Sequence, residues 1–490
     1  MKTRNFLALD LGAESGRAIL GRLDGEHLIL NEVHRFSNHP VYVGDRYYWN
    51  PLSLFTEMKN GLKIAETSYN IRLDAVGIDT WGVDFALLDK NDSLLDNPRN
   101  YRDPRTNGFP EKAFEEVSQS DIFAQTGIQF LNINTLYQLL SMRGSASLES
   151  ANTLLMMADL FNFYFTGSKT TEFSNATTTQ MFNPITGTWA YDLLERFQLP
   201  TYILPDIVEP GTKIGILHDS IQKELRSSNV PFIAPATHDT GSAVAAIPSQ
   251  KDPKDLIYIS SGTWSLMGIQ TKEPILSQQA LDHNFTNEGG FNHSFRFLKN
   301  IMGLWILQEC RRTWNKTNKK VDYDGLIHAA EKTKPFATLF DPDNQSFLSP
   351  GNMPKRLQEY WANTGQNVVD SPGSIVRSIL ESLSLKYRYT AECIENITGR
   401  SFDVIHIVGG GIRNKLLCQF TANATKKIVI AGPIEATAIG NIMVQAIGIN
   451  EISDIDQARH IIHNSFVPQL YTPCESNIWD SAYENFVSLI

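Results

Sequence analysis

Three carboxylates in this sequence end apolar runs and stand just before a glycine or a hydroxyl residue. They are Asp10 in Leu-Asp-Leu-Gly, Asp79 in Ile-Asp-Thr-Trp-Gly and Asp239 in Thr-His-Asp-Thr-Gly. In open α/β sheets, ligands collect beyond the carboxyl ends of the strands, so a side chain placed there faces the ligand crevice. The plain alternative for each is that it caps the following turn or helix. Three acids in matching positions favour a shared site over three separate caps.

Glycine-rich turns accompany these acids. Gly12-Ala13-Glu14-Ser15-Gly16-Arg17 is small and polar, with backbone N–H groups able to face an anion, a hydroxyl from Ser15 and a fixed positive charge from Arg17. Ser260-Ser261-Gly262-Thr263 offers similar chemistry, and such turns can hold phosphates. Either could also be an ordinary hairpin. Gly409-Gly410-Gly411 follows an apolar run and permits close approach of backbone to a nucleotide. It is not the dinucleotide fingerprint, because Asn414 stands where the last glycine would be.

Other chemistries are excluded by their missing parts. No Gly-x-x-x-x-Gly-Lys-Ser/Thr occurs, Asp84-Phe85 is followed by Ala86 rather than glycine, and His-Glu-x-x-His is absent. Asp239-Thr240-Gly241 resembles an aspartic-protease turn, but that reaction needs two acids sharing a proton and the chain has no second such turn.

The elements that must position these residues are legible in outline. Phe6–Leu9, Ala18–Gly21 and His27–Leu30 read as a three-stranded meander, with Asp24-Gly25 as a hairpin signal. A helix is expected over Pro51–Ser68 and a buried strand over Ala75–Ile78. After a polar, proline-bearing boundary at Pro248–Asp255, the opening recurs: Leu256–Ile259, a Ser-Ser-Gly-Thr turn, then Leu266–Ile269. That repetition suggests a duplicated α/β architecture. Farther on, Ile375, Val376, Ile379, Leu380, Leu383 and Tyr387 share one helical face, with Ser374 as the expected N-cap and Gly399 as the stop. Val404–Val408 and Ile428–Ile430 read as strands, and Thr437–Ile447 as a helix.

Composition narrows the class. The chain has 490 residues, enough for two to four domains. With 43 basic and 53 acidic residues its formal net charge is −10, which argues against a nucleic-acid or anionic-membrane partner; the pairs Lys319–Lys320 and Lys426–Lys427 are too short to change that. Cys310, Cys393, Cys418 and Cys474 show no Cys-x-x-Cys spacing and read as free thiols of a reducing compartment. The apolar run at Phe6–Leu9 stops at Asp10, too soon for a signal peptide, and no run reaches the roughly 18 residues a membrane span needs. A cytoplasmic enzyme is the expectation.

Taken in order, the motifs resemble the FGGY carbohydrate kinases of the actin/hexokinase-like ATPase superfamily. The resemblance rests on Ala8–Arg17, Gly77–Phe85, Tyr101–Asn107, Gly127–Phe130, Asn175–Gln180, Thr237–Thr240, Tyr258–Gly268, Thr286–Gly290, Leu298–Trp305, His406–Gly411 and Ala431–Thr437, and so spans nearly the whole chain. It implies an α/β fold of two ribonuclease-H-like domains flanking a central cleft: 1–247 with the sugar site, first phosphate loop and base; 256–450 with the nucleotide site; and 451–490 as an extension packed on the second domain. It implies phosphoryl transfer from ATP, with Mg²⁺, to a ketose or polyol. L-rhamnulose is the first candidate, with fuculose, xylulose and glycerol behind it. Asp239 would be the general base and Asp10 the carboxylate that organises Mg²⁺–ATP, through water. ATP would lie against Ala13, Glu14, Ser15, Gly16, Arg17, Thr263, Gln308 and Gly410. The sugar would lie against Gly82, His238, Asp239, Thr240 and Asn300. Glu14 departs from the small residue frequent at that position in relatives, so its role stays open. Trp81 could stack on the sugar or fill the core, and Asn300 could cap a helix instead. A silent sugar or nucleotide sensor and an actin-like ATPase working through protein partners are the rival classes. The enzyme would act as a monomer or small homo-oligomer.

Overall fold

A computed structural model describes residues 3–248, 255–316, 322–474 and 476–490. Most of the expected boundary segment, 249–254, and the pair Lys319–Lys320 lie outside the described residues. The chain divides into two compact units. The described residues of one fall within Met1–Ser249, Gln270–Phe297 and Glu435–Phe466; those of the other fall within Gln250–Ile269, Leu298–Ile434 and Val467–Ile490.

In the first unit the meander forms as expected, as strands Arg4–Leu11, Ser15–Asp24 and His27–Ser37. It lies in a six-stranded sheet that continues through Ala75–Thr80, Pro231–Ile233 and Lys213–Ile216. Strand Arg4–Leu11 runs antiparallel to Ser15–Asp24 and parallel to Ala75–Thr80, and this register sets Asp10 beside both Arg17 and Asp79. Helix Pro51–Tyr69 covers one face. Asn50 caps it by accepting from the Ser53 N–H, Pro51 takes the first turn, and Leu54, Met58, Leu62 and Ala65 are buried. Gly61 lets the helix come close: a Cβ there would lie 2.6 Å from that of Ala18. Residues from Phe85 to Ile207 add a subdomain with its own core, which includes Leu136, Tyr137, Leu154, Phe182, Trp189 and Phe197.

Helix Ala436–Gly448 is also part of this unit, although it is encoded near the end of the chain. It is buried along almost its whole length, and a Cβ on Gly440 would meet the Ser242 carbonyl oxygen at 1.8 Å, so only glycine permits this crossing with helix Asp239–Ala245.

The second unit repeats the strand plan. Ile257–Ser261 is antiparallel to Trp264–Thr271 and parallel to Val404–Val408, which is followed by parallel Ile428–Ala431 and antiparallel Gln469–Tyr471. Its longest helix, Pro372–Thr398, ends at Gly399 with φ 64°, as the sequence predicts. It starts one turn earlier than expected: the cap is Ser371, not Ser374, because Pro372 occupies the first helical position and Ser371 accepts from the Ser374 N–H.

The compact units are not unbroken stretches of chain. Gln270–Phe297 and Glu435–Phe466 group with the first unit. Within the extension 451–490, helix Ile455–Ser465 therefore belongs to the first unit, where the Leu28 N–H donates to Ser465 Oγ at 2.8 Å. Only strand Gln469–Tyr471 and helix Ser476–Val487 join the second, where Trp479 packs against Phe336 and Phe420. Among the described residues no helix is long and apolar enough to cross a membrane, and all four cysteines are free.

Candidate active site

The end of the first sheet concentrates charge. Asp10 is 3% exposed and Asp79 fully buried, on neighbouring strands in register. Arg17, one strand over, forms ion pairs with Asp10 through Nη2 and with Glu435 through Nη1. The Asp10 carboxylate raises the Arg17 pKa further, so this guanidinium is permanently charged. Burial, then the nearby Asp10 charge, hold the Asp79 carboxyl well above the usual carboxylate range. Asn441 donates to Asp79 Oδ2, which opposes that shift, while Oδ1 is buried with no hydrogen-bond partner. The turn beside them, 12–16, closes with the Gly12 N–H on the Ser15 carbonyl at 3.0 Å. Asn38 braces it from outside, donating its side-chain N–H to the Gly12 carbonyl at 2.8 Å and its backbone N–H to that of Glu14 at 3.0 Å. Gly16 is required, since a Cβ would fall 2.2 Å from the Phe36 ring.

Asp239 opens the short helix Asp239–Ala245 next to this cluster, for Thr80 pairs with His238 across a parallel bridge. Burial pushes its pKa up to about 6; the Asp10 charge adds to this, and His238, the Thr240 backbone N–H and Arg296 work against it. Its side chain keeps 26% exposure, so the carboxylate is reachable. A buried polar network fixes the approach: Glu172 Oε2 accepts from Thr237 N at 2.8 Å and Oγ1 at 2.7 Å, and Ser174 Oγ accepts from the His238 N–H at 3.1 Å. His238 Nε2 lies 3.7 Å from Asp239 Oδ1. Arg296 and Glu288 reach His238 and Thr240 from the strands Phe295–Met302 and Thr286–Gly289.

Gly82 sits in the tight path Trp81-Gly82-Val83-Asp84, where a Cβ on Gly82 would press on Thr178 at 3.0 Å and Val83 has φ 66°. A β-branched residue with positive φ is a strained backbone, held here by Thr178 Oγ1 accepting from the Val83 N–H at 3.1 Å. Trp81 resolves as core rather than as a sugar platform. It is 6% exposed, packs on Trp49 at 4.3 Å between ring centroids, and donates Nε1–H to Asp84 at 3.0 Å. Asp84 accepts four bonds, from Trp49, Trp81, the Tyr101 N–H and Gln138, yet burial still raises its pKa to about 6.

In the second unit, Thr263 tops the hairpin between Ile257–Ser261 and Trp264–Thr271, where the Gly262 N–H donates to the Trp264 carbonyl at 2.8 Å and the Trp305 N–H to that of Thr263 at 3.0 Å. The glycine run packs on this same hairpin. A Cβ on Gly409 would lie 2.9 Å from the Ser261 carbonyl oxygen, and one on Gly411 2.0 Å from Ser261 Oγ; around Gly410 there is open space. Thr263 and Gly410 are thus brought to one end of one sheet. Gln308 follows in helix Trp305–Lys316, its Oε1 buried without a hydrogen-bond partner. Asn300 lies inside strand Phe295–Met302, so the alternative that it caps a helix is set aside.

The acids fit a loosely held divalent ion. Mg²⁺ keeps several waters and takes one or two carboxylates plus substrate phosphates rather than a protein cage. Among the described residues no group of three or more His, Cys, Asp or Glu side chains forms such a cage. Asp10 and Asp79 stand side by side, and the orphaned Asp79 Oδ1 is an acceptor in want of a cation or a water. Sequence reasoning gave no role to Glu435, Asn441, Asn38, Glu288 or Arg296. Glu435 and Glu288 lie within the motifs Ala431–Thr437 and Thr286–Gly290, and their charge beside glycines was the available signal.

An acid-bearing sheet end in one unit and a glycine-lined hairpin in the other are the parts of a sugar kinase. The chain belongs to the FGGY family of carbohydrate kinases: residues 5–246 match the family's N-terminal domain and 257–449 its C-terminal domain. Among curated relatives, the rhamnulokinase of Bacteroides thetaiotaomicron is 43% identical over 99% of this chain and 99% of its own length. That of Bacillus subtilis is 37% identical over 96% of this chain and 95% of its own. Among solved structures, a ligand-bound xylulose kinase from Lactobacillus acidophilus matches with a TM-score of 0.82 at 15% identity, covering 99% of this chain and 97% of that one. A Plasmodium falciparum glycerol kinase with ADP matches at 0.76 and 16%, covering 99% and 98%. These structural likenesses show the fold alone, the mixed α/β fold of those kinases.

Proposed function

We propose that this chain transfers the γ-phosphate of ATP to the 1-hydroxyl of L-rhamnulose, giving L-rhamnulose 1-phosphate and ADP in L-rhamnose degradation. The observation that carries the chemistry is Asp239, a reachable carboxylate with a pKa of about 6 and therefore ionised at neutral pH. The choice of sugar is supported by relatives named rhamnulokinase that match over nearly the whole chain.

In this reading the Asp239 carboxylate takes the proton of the sugar hydroxyl as that oxygen bonds to the γ-phosphorus and the bond to ADP breaks. His238, Thr240, Gly82 and Asn300 orient the sugar. Phosphoryl transfer asks mainly for an oriented nucleophile and stabilised equatorial oxygens. Backbone N–H groups of residues 13–17, together with Thr263, Gln308 and Gly410, are assigned to ATP. Asp10 and Asp79 would hold Mg²⁺, through water, and the ion would supply neutralising charge to the phosphates. Arg17 is committed to Asp10 and Glu435, so its contribution is to fix Asp10 rather than to contact phosphate directly. Activity at a cytoplasmic pH near 7 suits a base of pKa about 6.

A coupled ADP-release assay across L-rhamnulose, fuculose, xylulose and glycerol tests this. The highest kcat/KM is expected on L-rhamnulose. A higher value on another acceptor overturns the specificity, and no turnover on any of them overturns the enzyme reading in favour of a silent sensor.

A further inference from the structure

Glu288 and Arg296 form a buried pair that none of the roles above uses. Arg296 is fully buried and Glu288 is 4% exposed. The guanidinium makes four contacts: Nε donates to the Gly289 carbonyl at 2.9 Å, Nη1 to Thr240 Oγ1 at 2.9 Å, and Nη2 lies 3.2 Å from both Glu288 Oε2 and His238 Nδ1.

We propose that Arg296, neutralised by Glu288, is a positioning residue for the sugar, setting the side chains of His238 and Thr240 on either side of Asp239. The inference rests on the sugar-kinase reading of Asp239. Its logic is that of contacts on the ring. Arg296 Nη2 and Glu288 Oε2 lie 3.2 and 3.3 Å from His238 Nδ1, so the pair pins that edge of the imidazole in either tautomer. Nε2 is the nitrogen that faces Asp239 Oδ1 at 3.7 Å. Thr240 Oγ1 accepts from Nη1 and lies 3.3 Å from both ring nitrogens of His238. The base is thereby flanked by an imidazole edge and a hydroxyl that the buried pair holds in place. That pattern suits a polyol whose hydroxyls next to the reacting one must be held.

Stability alone gives no reason for this pair. Buried ion pairs are commonly matched or bettered by apolar residues of similar volume, whereas removing one partner leaves an uncompensated charge. The positional role also accounts for the planar fork, which a point charge cannot reproduce.

The test uses two variants of the full chain, assayed on whichever ketose the wild type turns over best. Arg296→Met combined with Glu288→Leu removes both charges. Arg296→Lys keeps the charge and loses the fork, and it decides the matter should the double variant fail to fold. For the double variant we expect a sugar KM raised about 10- to 100-fold, an ATP KM within about twofold and a thermal midpoint near that of the wild type; the Lys variant should fall between it and the wild type in sugar KM. A folded variant with unchanged sugar KM overturns the proposal, as does an ATP KM that rises in step with it. A wild type inactive on every ketose would instead strike the reading of Asp239, a result distinguishable from either.

Discussion

At the first sheet the hairpin beside Gly12 is ringed by charge: Arg17 is pinned between Asp10 and Glu435, and Asp79 and Asp239 stand close enough for their charges to be felt. At the second, the hairpin of Gly262 and Thr263 is set differently. Its surroundings are glycines packed onto Ser261 and a hydroxyl pair, Ser265 with Tyr387 at 2.6 Å. One strand plan has thus been furnished in two ways. In both turns a glycine N–H closes the turn on a backbone carbonyl, Gly12 on Ser15 and Gly262 on Trp264. Proton chemistry and metal affinity need acids, and Asp10, Asp79 and Asp239 all lie in the first unit. The other packs Gly409 and Gly411 directly against Ser261 of its hairpin. It follows that the first hairpin should respond to protonation as well as to volume, as at Gly16, and the second to volume.

The largest effect should come from removing the base. Asp239→Asn keeps the shape and is expected to lower kcat by roughly 10²- to 10⁴-fold with an unchanged circular dichroism spectrum. Activity within a few-fold of wild type would move the base elsewhere. Next comes pH. With a pKa of about 6, Asp239 should make kcat/KM fall about tenfold for each unit below pH 6, as read from initial rates. Stability has the opposite slope. The folded protein holds this proton more tightly than the unfolded chain, about 6 against 3.8, so the cost of burying the charge is full above pH 6 and fades toward pH 4. The Asn variant should therefore gain thermal midpoint relative to wild type at pH 8 more than at pH 5.

The smallest effect concerns volume. Gly411→Ala puts a Cβ 2.0 Å from Ser261 Oγ. We expect about 1–3 kcal/mol of lost stability and an ATP KM raised several-fold, with the same ratio to wild type at pH 6 and pH 8. Adding Ser261→Gly should recover part of both. A Gly411→Ala defect that grew with acidity would erase the contrast between the two turns.

Much of this organisation was legible in the sequence because it is local. Strand runs such as Phe6–Leu9 and Val404–Val408 and the cap at Gly399 declare themselves within a few residues. So did the three acids, because each ends an apolar run. What the sequence hid are partners far apart along the chain. Arg17 meets Glu435 and Asp79 meets Asn441 across some four hundred residues, and neither pair carries a periodic signal. Arg296 falls outside every motif in the sequence; only its burial against His238 marks it out. Trp81 was ambiguous for a related reason, since whether an indole faces ligand or core depends on Trp49 and Asp84 arriving from other segments.

Helix Ala436–Gly448 has a consequence for how the protein is made. Asn441 holds Asp79 and the Gly77 carbonyl, and Gln445 donates to the carbonyl of Leu7 at 3.1 Å. These strands are therefore sealed by a helix that lies 364 to 438 residues further along the chain. Until that helix has been made the underside of the first sheet stays exposed, so synthesis of this kinase includes a long interval in which the sheet still waits for its plug.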